Sequence, residues 1–152
     1  MELLDLASGA SAWRGYNYYK SGKVKLFTKL EESRYEGFIS GTKTEPYHII
    51  MDLAHPRSSQ CDCPYANGKR IVCKHMVAMY FAVFPNEAER YYQEVIEAEE
   101  EAEREQERLE NALIDYVFKM KKSDLREALL QTLFEGPEWQ FDRFIREYLN
   151  EY

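Results

Sequence analysis

Apolar positions follow three different rhythms along this chain. From residue 24 to residue 53 they recur every second position, from 76 to 84 they are continuous, and beyond 86 they thin to a helical spacing on a charged background. In the first region Val24, Leu26, Thr28 and Leu30 alternate with Lys25, Phe27 and Lys29, the period-two signature of a half-buried strand. Glu31-Glu32-Ser33 reads as a turn, and a second strand follows from Arg34 to Thr42, with Gly37 marking a bulge or a close approach. The third strand, Pro46 to Leu53, puts Tyr47, Ile49, Met51 and Leu53 on one face and His48, Ile50 and Asp52 on the other. Short connections make an antiparallel three-stranded meander the economical topology. Ahead of it, Ser11 is expected to cap a helix running to about Ser21, closed by Gly22 in the left-handed conformation. Trp13, Tyr16 and Tyr19 or Lys20 share a face of that helix; packing of Trp13 and Tyr16 on the sheet is expected, with base stacking as the rival role. Residues 2–7 are too short to assign beyond a helical turn or an ordered arm.

The unbroken run Met76–Phe84 stops at Pro85 and predicts a buried helix. Asn86, with Glu89 three residues on, resembles a capping box, so a new helix should start there and run to about Met120, roughly 50 Å at the helical rise. Eight glutamates fall between Glu97 and Glu110, and a helix polar on every side is solvated, bridging, or half of a coiled coil. Tyr91, Val95, Ala98, Ala102, Leu109, Ala112 and Tyr116 keep a four-three rhythm, but the alanines and Glu105 make a weak seam. A spacer arm is therefore expected, with coiled-coil pairing as the rival and acidic mimicry of DNA as a third reading. Ser123 then caps a helix to about Glu135 with Leu125, Ala128, Leu129, Thr132 and Leu133 on one stripe, and Gly136-Pro137 breaks it. A last helix, Glu138 to Tyr148, presents Phe141, Phe144, Ile145, Tyr148 and Leu149. With Leu113–Met120 these form a small helical cluster, marginal as an independent fold at about forty residues and expected to dock on something.

Composition narrows the possibilities. The 152 residues bound the chain to one domain, or one domain with an appendage, and no internal repeat is visible. No apolar run approaches the eighteen residues of a membrane span, and the acidic start Met1-Glu2-Leu3-Leu4-Asp5 is unlike a signal or transit peptide. With reduced cysteines, this leads to the expectation of a cytoplasmic protein. The net charge of −7 divides unevenly, +3 over residues 1–85 and −10 over 86–152, so the halves are expected to do different jobs. A half that is only mildly basic weakens a charge-driven nucleic-acid reading.

The chemistry is concentrated in fifteen residues. Cys61-Asp62-Cys63-Pro64 and Cys73-Lys74-His75 use all three cysteines and one of three histidines. Two thiolates at i and i+2, then a thiolate and an imidazole at i and i+2, supply the four ligands of a closed tetrahedral zinc site. Side chains two apart diverge by about 200° in a helix, so Cys73 should precede the apolar helix and His75 should sit in its first turn. There the helix N-terminus favours a thiolate. His55 could in principle replace His75, His48 reads as a surface or packing residue, and three cysteines leave one over for any disulfide scheme. Four protein ligands point to a structural rather than a catalytic metal. Between and beside the ligands lie Arg57, Lys69, Arg70 and Lys74, against the single Asp62, with Asn67-Gly68 as a turn. These cations are the candidates for phosphate or acidic-partner contacts, or else solvated charges near an anionic centre.

The pattern C-x-C-x(9)-C-x-H, with Pro-Tyr-Ala after the second cysteine and an apolar helix after the histidine, resembles the SWIM zinc finger. The flanks agree: Arg14-Gly15-Tyr16-Asn17-Tyr18-Tyr19-Lys20-Ser21-Gly22-Lys23-Val24 is similar to the opening segment of bacterial members. Tyr35-Glu36-Gly37, and Gly41-Thr42 through Tyr47-His48-Ile49, resemble the strands that lead into the first cysteine pair. The resemblance covers residues 12–84 and implies Cys61, Cys63, Cys73 and His75 as ligands of one structural Zn2+. It also implies nucleic-acid or protein binding, in a family that accompanies helicase-like ATPases and transposases or stands alone. No G-x-x-x-x-G-K-[ST] motif exists here, so no motor activity carries over. The resulting expectation is an α+β protein: a zinc-finger module (1–85), a long acidic helix (86–120) and a C-terminal helical hairpin (121–152). It is expected to act as an adaptor binding a helicase-like or recombination protein or itself, with DNA or RNA binding through the zinc loop as the alternative. No membrane, small-molecule substrate or catalytic residue is expected, since neither paired carboxylates nor an activated nucleophile can be placed.

Overall fold

The structure, a computed structural model, describes residues 3–149. The order of elements is α1 (Gly9–Lys20), β1 (Val24–Glu31), β2 (Arg34–Ile39), β3 (Tyr47–Asp52), β4 (Gln60–Cys61), α2 (Lys74–Val83), α3 (Pro85–Lys119), α4 (Lys122–Glu135) and α5 (Glu138–Tyr148). The fold is α+β, and the chain divides into two compact units, Met1–Glu97 and Ala98–Tyr152, with the boundary inside α3.

In the first unit the sheet is an antiparallel meander in the order β1-β2-β3-β4. The fourth strand was not expected: it is two residues long, too short for alternation to reveal, and exists because Gln60 and Cys61 pair with Ile50 and Ile49. β3 alternates as its sequence predicts, with Tyr47, Ile49 and Met51 buried and their neighbours half-exposed. β1 does not. It is an edge strand in which only Val24 is partly covered, packing against the core, while Leu26 and Leu30 lie 62% and 48% exposed. Gly37 proves to be a close approach: a Cβ there would press on the Leu26 carbonyl and on Met79 of α2.

α2 explains the layering. His75 to Phe81 are all buried, so the helix is enclosed on every side. The sheet packs on one side and α1 on the other, a three-layer arrangement in which α2 is the middle layer. This corrects the expectation for α1. Tyr16 is buried not on the sheet but against Phe81 (5.9 Å, edge-on) and Tyr92 (5.3 Å, stacked), while Trp13 stacks on the outer side of Tyr16 at 5.8 Å. The cap of α1 is Ser8, whose Oγ accepts from the Ser11 amide, whereas Ser11 is itself buried inside the first turn. Gly22 closes the helix at φ 63°, as its position predicts. α3 starts one residue early, at Pro85 rather than at Asn86; proline at the first helical position sacrifices no hydrogen bond. Its opening turns belong to this core, through Ala88, Tyr91 and Tyr92.

The second unit is packed differently. α4 begins at Lys122 without a side-chain cap, and Ser123 hydrogen-bonds Asp124 instead of the backbone. α4 and α5 meet through Phe134 and Phe141, 6.0 Å apart. None of its described residues is buried. No described helix is long and apolar enough to cross a membrane.

Truncation should separate the two kinds of packing. Phe81, fully buried against Tyr16 and Tyr91, should cost about 3–5 kcal/mol as Phe81→Ala. Phe118→Ala, at a residue 86% exposed, should change chain stability by about 0.5 kcal/mol or less. Denaturant titration followed by near-ultraviolet circular dichroism measures both.

Candidate metal centre

Two segments of unlike backbone meet at the top of α2. Cys61 is held in β4 by its pairing with Ile49. The next residue locks the hairpin to β3 from both sides: Asp62 N–H donates to the His48 carbonyl (3.2 Å), and the His48 amide donates to Asp62 Oδ1 (3.0 Å). Upstream, the buried Ser59 does the same at the end of β3, where its Oγ accepts from the Asp52 amide at 3.0 Å. After Cys63 the chain turns at once, its carbonyl accepting from the amides of Ala66 and Asn67, and Gly68 completes the turn at φ 71°. Cys73 occupies the N-cap of α2 in extended conformation and His75 the first turn, as the i, i+2 spacing requires.

Cys61, Cys63, Cys73 and His75 are all buried, and their donor atoms lie within 4.8 Å of one another. The histidine presents Nδ1, which stands 3.8 Å from Cys61 Sγ and 3.9 Å from Cys73 Sγ. Donors bonded to one tetrahedral zinc at about 2.0–2.3 Å must stand roughly 3.6–3.8 Å apart, so the residues fit that ion. His55 is elsewhere, exposed beside Asp52, and His48 pairs with Glu36 at 2.7 Å and stacks on Phe38.

Electrostatics in the cluster favour one thiolate without metal and three with it. A hydrogen bond from Cys61 holds the Cys73 thiol down at about 4, against the opposing effect of burial, with His75 and the Met76 amide assisting. The same arrangement pushes Cys61 far up, first through its bond to Cys73 and then through burial. Burial, followed by the Cys73 charge, raises Cys63. A divalent cation removes this mutual repulsion, because a coordinated thiol is deprotonated outright.

Sequence reasoning missed the groups around the imidazole. Nε2 is buried with no hydrogen-bond partner among the described residues, so the carboxylate or carbonyl that usually orients a metal-binding histidine is not what holds this ring. Two tyrosines pack on it instead, Tyr47 at 4.6 Å and Tyr18 edge-on at 5.4 Å. Tyr47 in turn hydrogen-bonds Thr42 and covers Gly41, where any Cβ would strike its ring. The only available signal was indirect: a tyrosine at the buried end of β3 and a tyrosine-rich α1.

Of the four loop cations, three are brought together. Arg57, Lys69 and Arg70 line a groove of about 670 Å3 beside β4, floored by His48 and Ile50. Lys74 is not among them; its ammonium sits 4.4 Å above the Tyr18 ring.

The family model of the SWIM zinc finger matches residues 47–84, from β3 to the end of α2. The similarity of residues 12–46 lies outside that match. No curated protein and no solved structure matches the chain. The matched segment and its Cys3His cluster are those of a zinc finger with one structural Zn2+.

Two outcomes follow from the geometry. At neutral pH the metal-free cluster carries the Cys73 thiolate and two thiols, so zinc uptake should release two protons, one each from Cys61 and Cys63. Affinity should then fall roughly a hundredfold per pH unit of acidification around neutrality, measurable by titration in buffers of different ionisation enthalpy. Tyr47→Leu should weaken zinc binding about tenfold with the ligands intact, as loss of an orienting neighbour does; competition with a chromophoric chelator reads this directly.

Proposed function

We propose that this chain is a zinc-stapled binding module acting as a protein-contacting adaptor rather than as an enzyme, with Cys61, Cys63, Cys73 and His75 as the zinc ligands. The metal's role is mechanical: it joins the β4 hairpin to the first turn of α2, and with four protein donors it keeps no open position for a substrate. One observation carries the adaptor reading. Between residues 98 and 149 no described residue is buried, yet Leu113, Tyr116, Phe118, Phe134, Trp139 and Tyr148 are each more than half exposed. Apolar surface left open on that scale marks an interaction site. The similarity to a family that accompanies helicase-like ATPases and transposases makes a helicase-like or recombination protein the expected partner class.

A second reading is favoured by the groove beside β4. Arg57, Lys69 and Arg70 converge there, and the one acid on its wall, Asp62, is already engaged by the His48 amide. Phosphates of DNA or RNA are the ligands such a groove suits.

Affinity capture with the full chain tests the first reading. Leu113→Asp with Phe118→Asp should abolish recovery of a specific protein partner and leave zinc content unchanged; recovery of the same partner by that variant would refute it. Fluorescence anisotropy with oligonucleotides tests the second. Binding should weaken steeply with salt and disappear in Lys69→Glu, Arg70→Glu, and binding undiminished in that variant would remove the groove from the site.

A further inference from the structure

The apolar surface of the second unit is concentrated where α3 ends. Leu109, Leu113 and Tyr116 lie along one side of the helix and Ile114 and Phe118 along another, every one of them more than half exposed. A helical segment apolar on several sides is stable when other elements enclose it. Charge on the same rod is segregated along its length. Residues 98–110 hold seven glutamates and two arginines, whereas 119–126, at the corner into α4, holds four cations and one acid. Much of this charge is unanswered: among the described residues Glu99, Glu101, Glu103 and Glu107 make no ion pair, and neither do Lys121 and Lys122. The pairs that do form here, Arg104–Glu100, Arg108–Glu105 and Lys119–Asp115, are exposed and contribute little.

We infer that this segment pairs with a second copy of itself, antiparallel through α3, about a two-fold axis near residues 109–113. The inference rests on the reading of residues 98–149 as a contact surface and names what covers it. Antiparallel overlap sets the acidic stretch of one copy beside the basic corner of the other, and the two-fold makes the match twice, as a self-complementary interface requires. It also sets Leu109 of each copy beside Leu113 of the other at the axis. Parallel pairing would set glutamate against glutamate along the whole acidic stretch, each like-charge contact being unfavourable. A merely basic foreign partner would answer the glutamates and leave Lys121, Lys122 and the apolar end uncovered.

The experiment uses the full zinc-loaded chain. Sedimentation equilibrium at low salt should give a dimer. Zero-length carbodiimide coupling in a mixture of 14N- and 15N-labelled chains should join Lys121 or Lys122 of one isotope to Glu99, Glu100 or Glu101 of the other. Lys121→Glu, Lys122→Glu should weaken the dimer at least tenfold, and adding Glu99→Lys, Glu100→Lys and Glu101→Lys to that variant should restore it. A monomer at every concentration overturns the inference, while the capture experiment with Leu113→Asp, Phe118→Asp still decides the adaptor reading. A dimer whose mixed-isotope links lie only within residues 3–97, or a charge-swapped variant that is not restored, overturns it equally.

Discussion

A ten-residue helix without a solvated face must be covered on every side, and that requirement organises the first unit. α2 buries His75 through Phe81, so a sheet on one side alone would leave Met76, Val77 or Phe81 in water. α1 supplies the opposite layer, and the first turns of α3 supply Tyr91 and Tyr92. Fully burying each such side chain is worth about 1.5–3 kcal/mol, which outweighs the amphipathic compromise an exposed helix would make. The same burial positions two of the four candidate donors, because the N-terminus of a helix so confined cannot swing. Cys73 and His75 are delivered to a fixed point, and the hairpin of Cys61 and Cys63 is brought there by β3 through the reciprocal bonds of Asp62 and His48.

The cluster then closes a circuit that hydrogen bonding alone leaves open. β4 is two residues long and holds the sheet edge weakly. Its end is brought to the first turn of α2, where three sulfurs and a nitrogen stand within 4.8 Å of one another. His75 carries the coupling outward, since its ring is gripped by Tyr47 from β3 and Tyr18 from α1, so all three layers meet at this imidazole. Aromatic packing takes over the orienting role that a carboxylate fills in many zinc sites, and it leaves no negative charge beside an already anionic centre.

The second unit obeys the opposite rule. Its helices expose on several sides what α2 hides, and they carry formal charge in blocks rather than interspersed. Large aromatic residues open to water are costly for a unit of this size to maintain alone. The first unit thus encloses its aromatic residues in a core, and the second leaves them open.

By itself the sequence determined whatever depends on neighbours within a few residues. The donor set and its placement at a helix start follow from i, i+2 spacing, the β3 faces from alternation, and the left-handed turns from Gly22 and Gly68. Ser8 rather than Ser11 as cap, and Pro85 rather than Asn86 at the start of α3, show the limit of such rules where two candidates stand close together. Only the tertiary structure decided which surfaces meet. Alternation in β1 promised a buried face, but beyond Val24 the strand stays exposed; the helix of Tyr16 could have lain on the sheet, but α2 already occupied it. The gathering of Arg57, Lys69 and Arg70 without Lys74, and the tyrosines around His75, belong to the same class. Each is set by packing between residues distant along the chain, and periodicity carries no information about such pairs because it records which side of an element is apolar and not what will lie against it.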